Sequence, residues 1–171
     1  MASLTSPQPL TRRIALHGLL AVFACAFLGM DKKPEVSVRF FEEANAMDTD
    51  KFSRVITFKH PPRQGYISSI TIVHEGMIKA VYPFQAPDNT WGCTFFLDGK
   101  GQMDLDVVST SRKGSTLVAF LSTKTGTHQA AELLIDKRIT DGIISIPSGL
   151  TELEIAAISK SWPVIGQKKK K

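Results

Sequence analysis

The sequence predicts an α+β domain with a largely antiparallel sheet and two main helices packed on it. Three observations carry this. Short runs of alternating or β-branched apolar residues recur from Val36 to Ile146, separated by Gly, Pro, Asn or Asp, the pattern of strands joined by turns. Only two stretches change to helical spacing, one opening at Asp98 and one at Thr151. Strands and helices mixed in this way indicate the α+β class.

The elements follow in chain order. Val36-Ser37-Val38-Arg39-Phe40 alternates apolar and polar residues, as a half-buried strand does. Asn45 to Asp50 is a polar turn. Arg54 to Phe58 predicts a second strand, ended by Pro61-Pro62, and Tyr66 to Val73 a third. Met77 to Tyr82 predicts a strand after a turn at Glu75-Gly76, with Pro83 to Asn89 as a loop. Trp91 to Leu97, WGCTFFL, is a strongly marked strand. In the helix that follows, Met103, Val107 and Val108 keep the period, Asp98 is placed to cap it and Gly114 to stop it.

Thr116 to Leu121 predicts a strand, Thr123 to Thr127 a hairpin loop, and Leu133-Leu134-Ile135 the returning strand. After a turn at Asp141-Gly142, Ile143 to Ile146 predicts the last strand. The final helix carries a capping box, Thr151 with Glu154, and a hydrophobic staple, Leu150 with Ile155. Pro163 stops it. Trp91 and Trp162, with Tyr82 and Phe84, are expected to pack in the core or against loops.

Composition bounds the function. The chain has 171 residues, 43% hydrophobic and 22% charged, a globular composition. A domain of roughly 150 residues hides about two-thirds of its unfolded surface, so it needs no staples. The net charge is +5. Arg12, Arg13 and the tail Lys168, Lys169, Lys170 and Lys171 account for six positive charges, which leaves −1 on the remainder. No basic patch is expected on the body, so nucleic acid is not an expected partner.

Residues 1–30 carry Arg12-Arg13, then the apolar run Ile14 to Met30, then polar residues. A charged region, an apolar region and small residues near its end predict a secretory signal, with Ala24-Cys25-Ala26 as the cleavage triplet. Alternatives are a lipoprotein with lipid on Cys25, an uncleaved membrane anchor and a buried core helix. All but the last place the body outside the cytoplasm, in the periplasm or tethered to a membrane facing it. Residues 34–163 are then a single domain, and residues 164–171 a lysine-rich disordered tail. That tail is a solvated terminus or a contact to anionic lipid, at about 1 kcal/mol per lysine near such a surface.

Candidate chemistry is sparse. His60, His74 and His128 show no metal-ligand spacing, and Cys93 stands alone in the body, so no metal or other cofactor is expected. Cys93 alternates with Trp91 and Phe95 on one strand face and is expected to be a core residue; the alternative is a small envelope hydrolase with Cys93 as nucleophile beside an imidazole. Asp104 and Asp106 do not share a helix face. Asn45, Asp48 and Asp50 have calcium-like types without the glycine and terminal glutamate of a calcium loop. The glycines of DGKG and SRKG match no phosphate loop. No catalytic residue is expected. Tyr82 and Phe84, flanked by Pro83 and Pro87, are candidate ligand contacts, because ligand contacts concentrate on loops held by a rigid scaffold.

Residues 70–162 also show a resemblance. They run from an acidic turn into IKAVYPF, a strand ending FFLDGKG, a helix ending SRKG, the strands TLVAFL and LLIDKRI, and then DGIISIPSGLTELEIAAI. This order resembles the head subdomain of the first periplasmic domain of SecD, an accessory subunit of the protein-export translocase. LLID at 133–136 stands where that family has its apolar strand. Ile146, Gly149, Leu150, Thr151 and Glu154 stand where it has its last motif. STKTGTHQAAE is an inserted loop relative to the family. The resemblance implies a non-enzymatic, extracytoplasmic domain whose partner is a protein or peptide of the cell envelope. The alternative to that reading, besides the hydrolase, is a structural lipoprotein anchored through Cys25.

Overall fold

A computed structural model describes residues 35–45 and 52–166. The expectations for residues 1–30, Cys25, Asp48, Asp50 and Lys168 to Lys171 lie outside the described residues.

Among the described residues, eight strands form two antiparallel sheets. β1 (Ser37–Ala44), β2 (Ser53–Lys59), β3 (Pro62–Val73), β6 (Thr116–Thr123) and β7 (Gly126–Leu134) make a five-stranded sheet in the order β2-β3-β1-β6-β7. β4 (Ile78–Gln85), β5 (Trp91–Leu97) and β8 (Ile143–Leu150) make a three-stranded sheet in the order β4-β5-β8. Among the described residues there are two α-helices, α1 (Gly99–Ser111) and α2 (Glu152–Ser161). The predicted α+β class, with mainly antiparallel pairing and two main helices, is what the chain adopts.

One core joins these elements. Val38, Phe40, Leu117, Ala119 and Leu121 of the large sheet are buried with Val81, Cys93, Phe95, Ile144 and Ile146 of the small one. The Phe40 and Phe95 rings meet edge to face with centroids 6.0 Å apart, a favoured aromatic geometry. α1 contributes Leu105 and Val108 to this core, and α2 contributes Ile155 and Ile158. A second, smaller cluster on the other face of the large sheet holds Phe41, Phe58, Ile67 and Val118.

The helix termini obey the local chemistry. The Asp98 carboxylate accepts the Gly101 N–H at 2.7 Å, and Gly114 follows α1 with φ of +90°, which a glycine adopts without strain. At α2 the capping box is complete: Thr151 Oγ1 accepts the Glu154 N–H, and Glu154 accepts the Thr151 N–H at 2.8 Å. The staple residues Leu150 and Ile155 are both buried. The residues read as the last motif of the resemblance, Ile146 to Glu154, are thus the β8–α2 junction, with Gly149 at φ +91° preparing the cap.

Several expectations are corrected. β3 begins at Pro62 where Tyr66 was expected, so the prolines that follow β2 lie in a tight hairpin, and the His60–Pro61 peptide is cis. β4 continues through Pro83 to Gln85 where a loop from Pro83 was expected. The reason is position: Val81, of the same parity, turns its N–H and C=O away from β5 to Pro163 and Ile165, so Pro83 lacks an N–H only on the outer edge, where proline is tolerated. The segment STKTGTHQAAE, expected to be a loop, forms part of the extended β6–β7 hairpin, in which Gln129, His128 and Thr127 pair with Phe120, Leu121 and Ser122. Ile135 lies beyond β7, buried and bonded to Ser115. Val164, expected at the head of a disordered tail, forms a parallel bridge with Val81.

Candidate polypeptide-binding surface

The candidate surface is built by side-chain alternation in the small sheet. Residues of β4, β5 and β8 that face inward fill the core, so their neighbours face outward. Directly paired residues share a face. Ala80, Phe96 and Ile143 therefore lie in one row, Tyr82, Thr94 and Ser145 in the next, and Phe84 over Gly92 in the third. Tyr82 is 49% exposed and Ile143 36%; Ala80, Phe84 and Phe96 are half-buried. The helices pack on the other side, α2 contributing Ile155 and Ile158 to the shared core.

Local chemistry fixes the aromatic pair. The Tyr82 and Phe84 rings stack with centroids 6.4 Å apart and planes 26° from parallel. Phe84 lies flat because Gly92 beneath it has no side chain: a Cβ there would stand 2.4 Å from the ring's Cζ and 2.5 Å from the Pro147 carbonyl oxygen. The β4–β5 turn is held by Asp88, whose carboxylate accepts the Thr90 N–H and hydroxyl at 3.0 and 2.6 Å. Those bonds hold the Asp88 carboxyl below its usual range. Thr90 Oγ1 in turn accepts the Gly149 N–H at 2.7 Å, tying the turn to β8. Within the middle row, Thr94 and Ser145 share a hydroxyl hydrogen bond of 2.9 Å. The face is thus rigidly mounted, apolar and aromatic.

The structure brings Tyr82 and Phe84 together on this face, both on β4; Tyr82 was expected on that strand, Phe84 in the loop after it. Gly92, Phe96 and Ile143 belong to the same surface and were not singled out in the sequence. The signal for Gly92 was available: a glycine inside a strand marks a close approach of neighbouring groups.

The other candidates stand apart from it. Cys93 is fully buried, and burial pushes its thiol up to about 12. A reactive cysteine needs the thiolate near neutral pH and access to substrate, and Cys93 has neither. Its side chain packs as the core residue predicted. Asp104 pairs with Lys100 at 2.7 Å, and Asp106 with Arg138 at 2.8 Å; the Arg138 hydrogen bond holds the Asp106 carboxyl below its usual range. His128 Nε2 lies 3.5 Å from Glu154 Oε1, beside the α2 cap. His74 caps the short turn Glu75–Met77 through Nδ1, which accepts the Gly76 N–H.

Among the described residues, no three His, Cys, Asp or Glu side chains are grouped to hold a metal ion, and no helix is long and apolar enough to cross a membrane. A cleft of about 260 Å³ lies between β7 and β8. Its carboxylate, Glu132, accepts the backbone N–H groups of Lys59 and His60 at 2.6 and 3.1 Å. That carboxylate anchors the β2–β3 hairpin tip.

Among known proteins, the sequence matches no family. It matches no curated protein either. The fold is similar to a solved structure of SecDF, described as a membrane component that enhances protein export. That likeness covers 96% of this chain and 78% of the other, with a TM-score of 0.50 and 12% sequence identity. A structure of SecDF in a super-membrane-facing form aligns over 75% of this chain and 19% of its own length, with a TM-score of 0.49 and 13% identity. The chain has a SecD-like fold, as the order of its sequence motifs implied.

Proposed function

We propose that this protein is a non-enzymatic, extracytoplasmic domain that binds polypeptide in the cell envelope, in connection with protein export. One observation carries the reading: an aromatic pair, Tyr82 stacked on Phe84, stands on a rigid sheet face that no described element covers. An exposed apolar patch on a folded domain marks an interaction site. Stacked aromatic rings favour a partner with apolar side chains and no fixed sequence, because ring faces accept many shapes at small entropic cost.

The SecD-like fold supports the link to export, since the solved relative enhances that process. The apolar leader at 14–30 supports a place outside the cytoplasm. The buried thiol of Cys93 argues against the hydrolase alternative.

The test uses a photoreactive phenylalanine analogue placed at Tyr82, with the same analogue at Leu153 as control. Leu153 is 84% exposed on α2, away from the small sheet's outer face. Each variant is irradiated with a purified unfolded polypeptide of defined sequence. The expected result is a cross-linked product from position 82 and little from position 153. Equal yields from both positions, or none from either, would remove the aromatic face from the account.

A further inference from the structure

The two sheets have four edge strands, and three of them are blunted. β4 is bridged by Val164 at Val81 and carries Pro83 on its open side. β7 and β8 lie beside one another, and Pro147, which has no N–H, lies within β8. β2 differs. It has no proline and no register shift against β3, and among the described residues no strand pairs with its outer edge. An unblunted edge is a template for another strand.

The register shows which groups are available. The Ser69 N–H donates to the Phe52 carbonyl at 2.7 Å. In an antiparallel ladder, hydrogen-bonded and non-bonded pairs alternate. Arg54, Ile56 and Phe58 therefore exchange bonds with β3, while Val55, Thr57 and Lys59 point their backbone groups outward. Lys59 bears this out, because its N–H donates sideways to Glu132. That bond closes one end of the edge. The N–H and C=O of Val55 and Thr57 are left for a partner.

The side chains state the partner's chemistry. Val55 is 63% exposed and lies opposite Tyr66. On the other face, Arg54 sits 4.8 Å over the Phe41 ring, and no described carboxylate pairs with it. Arg54 and Lys59 make the edge basic; Glu43 is taken by Arg63 at 2.7 Å, and Glu132 by the hairpin tip. A second copy of this edge would bring its own cations, so self-pairing is disfavoured.

We propose that β2 takes up an extended polypeptide segment of alternating apolar and acidic residues as an added strand, paired to Val55 and Thr57 with carboxylates beside Arg54. Strand addition draws affinity from main-chain hydrogen bonds and specificity from alternate side chains. This site lies on the large sheet and is separate from the aromatic face.

The experiment follows amide hydrogen exchange in the full chain with a peptide of alternating valine and glutamate, matched to β2 at seven residues. Exchange at Val55 and Thr57 is expected to slow. A valine–lysine peptide is expected to bind roughly fivefold more weakly, as one cross-strand charge pair allows. Arg54→Glu should reverse that preference. Val55→Pro, which removes one outward donor, should abolish the slowed exchange at Thr57. Unchanged exchange at Val55 and Thr57 at saturating peptide would overturn the proposal. So would equal binding of both peptides to the wild type and to Arg54→Glu, or protection that rises with protein concentration without peptide. Changes confined to Tyr82 and Phe84 would overturn it too, while leaving the aromatic-face reading intact.

Discussion

The two faces of the three-stranded sheet are made from alternate residues of the same strands, and both carry large apolar side chains. The inner face places Val81, Cys93, Phe95, Ile144 and Ile146 at no more than 4% exposure. The outer face carries Tyr82, Phe84, Phe96 and Ile143, and two of these are at least one-third exposed. Folding accounts for the first face completely. It does not account for the second, since an apolar side chain left in water returns little of the free energy that burial supplies. The difference separates residues kept for stability from residues available for a partner.

Substitutions on the two faces should therefore behave differently. The largest effect is expected at Phe95, which is fully buried against Phe40. Phe95→Ala removes a ring and leaves a cavity, and should cost about 3–5 kcal/mol in urea unfolding. A loss below about 1 kcal/mol would mean that the two sheets do not share a tightly packed core.

Gly92 lies between the two categories. Gly92→Ala forces a methyl group against the Phe84 ring and the Pro147 carbonyl. It should cost about 1–3 kcal/mol, as overpacking does, and also tilt Phe84 off the sheet. Stability and the near-ultraviolet aromatic signal should change together. If the signal is unchanged, Phe84 is not seated on Gly92.

The parts of the fold that the sequence predicted well are those set by local chemistry. The α2 capping box, the Asp98 cap, the Gly114 stop and the run from Trp91 to Leu97 each depend on residues within a few positions of one another. What was misread depends on place in a sheet. Pro83 looked like a strand breaker until β4 proved to be an edge whose outer side needs no donor. STKTGTHQAAE was expected to be a loop, yet its second half belongs to β7; as an edge strand, β7 is half-buried over much of its length and needs little apolar alternation.

The candidate surface was half legible for a related reason. Tyr82 and Phe84 were visible as an aromatic pair near prolines. Their joining with Phe96 and Ile143 required the pairing of three strands, which no local pattern encodes.

The smallest stability effect is expected at Tyr82, and it provides the most direct measurement. Urea unfolding and titration with an unfolded polypeptide are run in parallel on the wild type and on Tyr82→Ala. Stability should change by no more than about 0.5 kcal/mol, as at a surface site, while binding weakens roughly tenfold, the loss of about 1.4 kcal/mol typical of an aromatic contact. A large loss of stability, or binding unchanged by the substitution, would contradict the account: the outer face would then belong to the fold and not to a partner.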